Sequence, residues 1–233
     1  MGAILQTYCR KNNRVIYSLF QIIFNHVDEV GVLHNQHLVN YYNQEFTPTP
    51  SPQGSEAFFR SIGFDGLGNM FPSTAILIDK TSTVEDFISN HSTMSNSMKS
   101  YLLQMCSSSG NTIELQNLEQ TVLSDKNLAS SDAKIILIGI AVARHSSEYW
   151  NHHVGSWVNG ANPTIFARNY AKIDATTALT VAMSCNLGFV TPPSGMTVLT
   201  FAAASGATAS TAAAIADGVS WVAGEIGKNT GWW

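Results

Sequence analysis

The amino-acid sequence predicts a mainly α-helical protein: a helical body followed by a C-terminal helical hairpin of small residues. Three observations lead to this fold class. Apolar side chains recur at helical spacing early in the chain, two segments carry residues suited to capping a helix, and the C-terminal quarter is mostly Ala, Thr, Ser and Gly. The 233 residues fit one domain with an appended module.

Composition narrows the classes of function. The formal net charge is −4, with 12 Lys and Arg against 16 Asp and Glu and no basic stripe, which argues against nucleic-acid binding. Cys9, Cys106 and Cys185 are far apart and predict neither a disulfide framework nor a cysteine zinc site. A charged share of only 12%, with abundant Ser, Thr and Asn, favours a secreted or cell-surface protein.

Residues 1–25 form the first predicted unit. Arg10, Lys11 and Arg14 precede an apolar run over residues 15–24, an order that resembles the basic and apolar regions of a signal peptide. The run lacks a small-x-small cleavage site, and it is too short to span a bilayer. A degenerate export signal and a first packed helix both stay open as interpretations.

Residues 26–170 are predicted to form the helical body. In its first helix Val30, Leu33, His37 and Tyr41 recur at the spacing of one helix face. This face is expected to pack against the core.

Two capping patterns predict the next helices. Ser82 with Glu85 has the spacing of a capping box and predicts a helix that runs to about Cys106. Asn111 with Glu114 repeats this pattern and predicts a shorter amphipathic helix that ends near residue 123.

An apolar run over residues 135–143 predicts an element that is buried on all sides, either a central helix or an interior strand. The helix is favoured by the alanines of the run, by Asp132 near its start, and by Arg144 and His145 after it. Its β-branched residues favour a strand. The aromatic and histidine-rich stretch 149–157 is interpreted as a connection.

Residues 171–233 form the predicted tail. No charged residue occurs over 175–216, and Pro192-Pro193 divides this stretch into two predicted helices. In the second helix small residues recur at every fourth position, and we refer to them as the small-residue ladder: Ala202, Gly206, Ser210 and Ala214. Such a ladder lets two helix backbones approach closely.

The tail has three candidate forms. It is sparse in large apolar side chains, so spanning a membrane by itself would be marginal. Trp221, Trp232 and Trp233 are candidate anchors at an interface. A packed hairpin, a membrane-active hairpin and a segment that depends on a partner for its order all stay open.

One group of residues has metal-binding potential. His34 and His37 lie three residues apart on the first helix, while His145, Glu148 and His152 are spaced three and four apart. If the two helices are adjacent, these five residues form a zinc or iron site. The alternative is that they are ordinary polar residues at helix ends that bond to the backbone or stack on aromatic rings. No other cofactor and no catalytic residue is predicted, since GxSxG and HExxH motifs do not occur.

Three segments carry a family resemblance. Residues 31–38 read Gly-Val-Leu-His-Asn-Gln-His-Leu, residues 136–150 form an apolar stretch that ends in Ser-Ser-Glu-Tyr-Trp, and residues 172–216 are rich in Ala, Gly and Ser. Together they resemble uncharacterised exported proteins and lipoproteins of the Bacteroidota, which have a Gly-x-x-His-Asn-x-x-Leu motif, a helix ending in Ser-x-x-Tyr-Trp and a helical tail. The resemblance implies a secreted or surface helical protein with no established activity, and it assigns no catalytic residue.

The sequence therefore favours a non-enzymatic function. The leading hypothesis is an exported helical protein whose hairpin tail is bacteriocin-like or interacts with a membrane or a protein partner. One alternative is a metal-dependent enzyme that uses the five His and Glu residues above. The other is a structural or partner-binding surface protein.

Overall fold

A computed structural model of the chain describes residues 27–43, 84–157 apart from 91 and 93, 163–186, and 197–214 apart from 208, 212 and 213. The described residues are predominantly α-helical and include no strand, which confirms the prediction of a mainly α fold. The predicted N-terminal unit 1–25 lies outside them, as do the three predicted anchors Trp221, Trp232 and Trp233.

Seven helical elements are used below. They are α1 (residues 27–43), α2 (Val84–Asn90), α3 (Asn96–Ser108), α4 (Thr112–Ser124), α5 (Ser130–Trp157), α6 (Pro163–Asn186) and α7 (residues 198–207 and 209–211). The long helix α5 packs against α6, α4 and α3, so it lies at the centre of the described core.

The buried face of α1 differs from the predicted one. Val30 and Tyr41 are fully buried as expected, whereas Leu33 and His37 are only half-buried. The middle of the face is His34, which is 0% exposed. A polar side chain can take this place because it meets a buried partner of opposite charge, which hydrophobic spacing cannot anticipate.

The single helix predicted from residue 82 to about Cys106 is two helices, α2 and α3. A new helix starts because the hydroxyl of Ser95 accepts a hydrogen bond from the Met98 amide at 3.1 Å. The predicted cap Ser82 lies outside the described residues. The next cap is as predicted, since the Asn111 side chain accepts a hydrogen bond from the Glu114 amide at 3.3 Å and α4 follows.

The apolar run over 135–143 is helical, and all nine of its residues are buried. Helix α5 continues past this run to Trp157, so the prediction of a connection over 149–157 was wrong. The reason is that Trp150, Val154 and Trp157 are buried at helical spacing, which continues the buried face of α5.

The tail begins inside a continuous helix. Helix α6 starts at Pro163, which suits a first helical turn, and runs to Asn186, so the predicted boundary between residues 170 and 171 falls within it. Beyond it, the described residues of α7 from 201 onward are buried. All four members of the small-residue ladder are buried: Ala202, Gly206, Ser210 and Ala214.

None of the described helices combines the length and the apolar character that crossing a membrane requires.

Candidate functional site: a buried polar cluster

A carboxylate lies at the junction of three helices. We refer to the residues around it as the polar cluster: His34 and Asn35 of α1, Ser146 and Trp150 of α5, and Asp174 of α6. The Oδ2 atom of Asp174 accepts hydrogen bonds from the Ser146 hydroxyl at 2.5 Å and from the Trp150 indole at 3.1 Å. Ser146 and Trp150 reach the same oxygen because residues four apart lie on one face of a helix.

His34 of α1 faces this carboxylate. Its Nε2 atom lies 3.0 Å from Oδ2 of Asp174, and both side chains are 0% exposed. The contact does not have the geometry of a hydrogen bond.

The second ring nitrogen of His34 is held by Asn35. The amide nitrogen of Asn35 donates to the backbone carbonyl of His145 at 2.9 Å, which turns its oxygen toward His34. That oxygen lies 3.0 Å from Nδ1 of His34 and accepts a hydrogen bond from it. One ring nitrogen of His34 is therefore bonded to Asn35, and the other lies against Asp174.

Aromatic rings close one side of the cluster. The Trp150 ring lies 4.7 Å from the ring of Tyr170 and 5.1 Å from that of Trp157, measured between centroids. Trp150 and Tyr170 are almost completely buried. These rings keep water from the charges while the indole nitrogen still donates to Asp174.

Helix α7 covers the charge pair through a ladder glycine. A Cβ atom on Gly206 would lie 2.8 Å from the backbone oxygen of Asp174 and 3.2 Å from the His34 ring. Only a residue without a side chain permits this approach. Gly206 therefore lets α7 approach α1 and α6 closely at the buried pair.

His37 lies one turn from His34 and remains neutral near neutral pH. Burial, with the positive charge of His34 as a further cause, lowers the pKa of His37 from 6.5 to about 4. A second positive charge at this end of α1 is thus disfavoured until the solution is acidic.

A second ion pair fixes α1 on α5. Asp28 contacts the Arg144 guanidinium, and its Oδ1 atom lies 2.9 Å from Nε2 of His145. Burial alone would raise the pKa of Asp28, but the bond to His145 and the charge of Arg144 lower it overall. Close by, burial raises the pKa of Glu119, although Arg144 opposes this, with its Nε 3.8 Å from the Glu119 carboxylate.

The structure separates the five residues of the predicted metal site. His34 faces Asp174, and His145 faces Asp28. His152 is exposed and its Nδ1 atom lies 2.7 Å from the backbone oxygen of Glu148, whose side chain is also exposed. The fifth, His37, is half-buried on α1. In the described part of the chain, no three His, Cys, Asp or Glu side chains are grouped so as to hold a metal ion.

The polar cluster also contains the residue types of a serine hydrolase, but in a different order. In such a triad the histidine lies between the serine and the carboxylate and accepts the serine proton. Here the Ser146 hydroxyl donates to Oδ2 of Asp174 directly, and His34 contacts the same oxygen. All three side chains are 0% exposed, so the hydroxyl does not face solvent.

The sequence analysis assigned no role to Asp174, Ser146 or Trp150. One signal for Asp174 was present, because it is the last charged residue before the uncharged stretch 175–216. A carboxylate that is buried with such a stretch needs a partner. Ser146 and Trp150 are the first and last residues of the Ser-x-x-Tyr-Trp element, and His34 lies in the other motif of the family resemblance.

Comparison with known proteins gives no relative: no family model, no curated protein and no solved structure matches this chain. The resemblance to exported proteins of the Bacteroidota therefore stays a prediction.

Proposed function

We propose that this is an exported, non-enzymatic helical protein that acts on lipid membrane surfaces through its C-terminal hairpin, which is docked in the resting protein. One observation carries the proposal: α7 is an uncharged helix that is buried over a charge pair. At Gly206, α7 thus rests on a polar junction, in contrast to the large apolar side chains that join α5 to its neighbours.

The docked state of α7 is suited to release. Between residues 201 and 211 the one large apolar side chain is Phe201, and the others are Ala, Ser, Thr and Gly. Burial of such small side chains gives little hydrophobic free energy, which scales with the apolar area removed from water. Docking therefore depends on close fit, especially where Gly206 meets Asp174.

Once released, the hairpin has properties that favour a membrane surface. The stretch 175–216 has no charge to desolvate, and the small-residue ladder allows close helix association in lipid. Trp221, Trp232 and Trp233 follow in the sequence, and tryptophan is favoured at the boundary between lipid and water. The low overall charge and the Ser, Thr and Asn content favour export.

A non-enzymatic function is supported by the chemistry of the polar cluster. Its charges neutralise each other, its serine donates to a carboxylate, and four of its five side chains are fully buried. Nothing in this arrangement activates a nucleophile or holds a substrate.

Dye release from phosphatidylcholine vesicles tests the proposal. We expect the full chain to release dye and a chain that ends at Asn186 to release none, with circular dichroism checking that the shorter chain stays helical. The cut belongs after Asn186, because a cut near Lys172 would divide α6 and remove Asp174.

A full-length pair of variants provides the matched control. Gly206→Leu removes the close fit over Asp174 and should increase dye release at neutral pH, whereas Gly139→Ala, on α5, should release dye as the unchanged chain does. Equal release by the full and shortened chains, or release by neither, overturns the membrane function. The structural or partner-binding surface protein would then be the better description.

A further inference from the structure

Four hydroxyl groups of α6 and α7 are buried without a hydrogen bond, and we refer to them as the unpaired hydroxyls. They belong to Thr176 and Thr177 of α6 and to Ser210 and Thr211 of α7, and each of these residues is at most 1% exposed. None of the four oxygen atoms has a hydrogen-bond partner among the described residues. A buried polar group without a partner is destabilising, so an arrangement that pairs these hydroxyls is favoured.

Two other hydroxyls of the same helices are satisfied within their own helix. Ser205 of α7 donates to the backbone oxygen of Phe201 at 2.7 Å, and Thr180 of α6 donates to that of Thr176 at 2.7 Å. In both cases the acceptor lies four residues earlier. The unpaired hydroxyls do not make this bond, so they remain available to a partner outside their own helix.

We propose that the released hairpin associates in the membrane with the hairpin of a second copy of this chain, and that the unpaired hydroxyls form hydrogen bonds between the two copies. The inference rests on the proposed function, because it names the partner that the hairpin meets in lipid. Ser210 is central to it, since Ser210 is also a member of the small-residue ladder.

Ser210 places its hydroxyl on the stripe along which α7 approaches another helix closely. Gly206 lies four residues earlier on this stripe and lets α7 reach the backbone of Asp174. When α7 leaves α6, the same stripe becomes open to a new helix. Its small side chains let two backbones approach, which brings the Ser210 hydroxyl within reach of the facing helix.

A second copy is the partner that this chemistry fits. A hydroxyl both donates and accepts a hydrogen bond, so identical Ser and Thr surfaces can pair with each other across a two-fold axis. No charged residue occurs over 175–216, so two such hairpins meet without repulsion between like charges. Inside lipid no water competes for the hydroxyls, and hydrogen bonds between helices contribute to association there.

Energy transfer between labelled copies in phosphatidylcholine vesicles tests the inference. Full chains carry a donor or an acceptor dye on Cys185, the half-buried cysteine of α6, while Cys9→Ala and Cys106→Ala leave it as the only thiol. We expect energy transfer between vesicle-bound copies at low ratios of chain to lipid, and an excess of unlabelled chain should abolish it. Vesicle flotation measures membrane binding separately.

Matched substitutions on α7 separate the unpaired hydroxyls from the paired one. Ser210→Ala keeps a small side chain and removes the hydroxyl, so the chain-to-lipid ratio at half-maximal energy transfer should rise about fivefold, as expected for loss of a hydrogen bond between helices in lipid. Thr211→Val should act in the same direction, because valine has nearly the shape of threonine. Ser205→Ala should leave the ratio unchanged, since the Ser205 hydroxyl is bonded to its own helix.

The same comparison is available on α6. Thr177→Val removes an unpaired hydroxyl and should raise the ratio, whereas Thr180→Val removes a hydroxyl that is bonded within the helix and should leave the ratio unchanged.

Urea unfolding without vesicles checks that the hydroxyl of Ser210 is unpaired in the resting protein. Ser210→Ala removes an unpaired polar group, so its unfolding midpoint should equal or exceed that of the unchanged chain. Ser205→Ala removes a hydrogen bond and should lower the midpoint. A lower midpoint for Ser210→Ala overturns the inference, because its hydroxyl would then already have a partner in the docked hairpin.

The vesicle results distinguish failure of this inference from failure of the proposed function. Vesicle-bound chains without energy transfer overturn the inference alone and leave a hairpin that acts as a single copy. Equal effects of Ser210→Ala and Ser205→Ala, including no effect of either, also overturn it. Chains that neither bind vesicles nor release dye overturn both proposals.

Discussion

The buried faces of the two halves of α5 are covered by different means. Its first half, residues 135–143, is covered by apolar side chains of α3, α4 and α6. Its second half places Ser146 and Trp150 against the Asp174 carboxylate and the His34 ring. The difference shows that an apolar contact accepts many arrangements, whereas a buried charge requires particular partners at particular distances.

The surroundings of two buried glycines show this difference. A Cβ atom on Gly139 would lie 3.1 Å from the sulfur of Met105 and 3.4 Å from a methyl group of Leu179, both of which are ends of flexible side chains. A Cβ atom on Gly206 would lie 2.8 Å from the backbone oxygen of Asp174. The first contact can adjust by a change of side-chain rotamer, but the second requires one helix to move.

The largest predicted effect compares alanine at these two glycines. We expect Gly206→Ala to lower the free energy of unfolding by about 3 kcal/mol, because overpacking against a backbone atom outweighs the better helix propensity of alanine. Gly139→Ala should change it by less than about 1 kcal/mol, since the Met105 side chain can yield. Urea unfolding followed by circular dichroism measures both, and equal losses would contradict the distinction between the two halves.

The next effect compares two tryptophans of α5. Trp150→Phe removes a donor to a charged carboxylate and should cost about 2 kcal/mol, whereas Trp157→Phe removes a donor to the neutral Tyr149 hydroxyl and should cost about 1 kcal/mol. The two substitutions remove the same group from similarly buried rings. A larger loss for Trp157→Phe would show that the charge of Asp174 does not strengthen the contact.

The smallest effect concerns pH. Burial lowers the pKa of His37 to about 4, so the unfolded chain binds a proton near pH 6.5 before the folded chain does. The contribution of neutral His37 to the free energy of unfolding should therefore be fully present above pH 6.5. It should be lost as the pH decreases toward 4, by about 1 kcal/mol for a half-buried group. His37→Gln should remove this part of the slope.

A buried cysteine on α3 supplies the comparison for this prediction. Burial raises the pKa of Cys106 on α3 to about 12, so Cys106→Ser should leave the slope between pH 4 and 6.5 in place. Unfolding curves at several pH values measure both variants. An unchanged slope in His37→Gln would assign it to other groups.

Local sequence patterns were enough to predict much of the fold. The Asn111 cap, the helical nature of 135–143 and the helical character of the ladder region each depend on residues within one or two turns. The predictions that were wrong concerned continuity: one helix was predicted where Ser95 starts a new one, and a connection was predicted where α5 continues to Trp157. Whether a helix continues depends on what its next face packs against, which local spacing does not contain.

The candidate site, like the fold, was predicted only in part from the sequence. By itself, the sequence determined that the chain is helical, that its charge is low and that a proline-split, uncharged tail of small residues follows the body. Only the tertiary structure decided that His34, and not another histidine, contacts Asp174. The two residues are 140 positions apart in the sequence. The physical reason is that a charge pair is defined by distances between helices, and the spacing of residues within one helix carries no information about these distances.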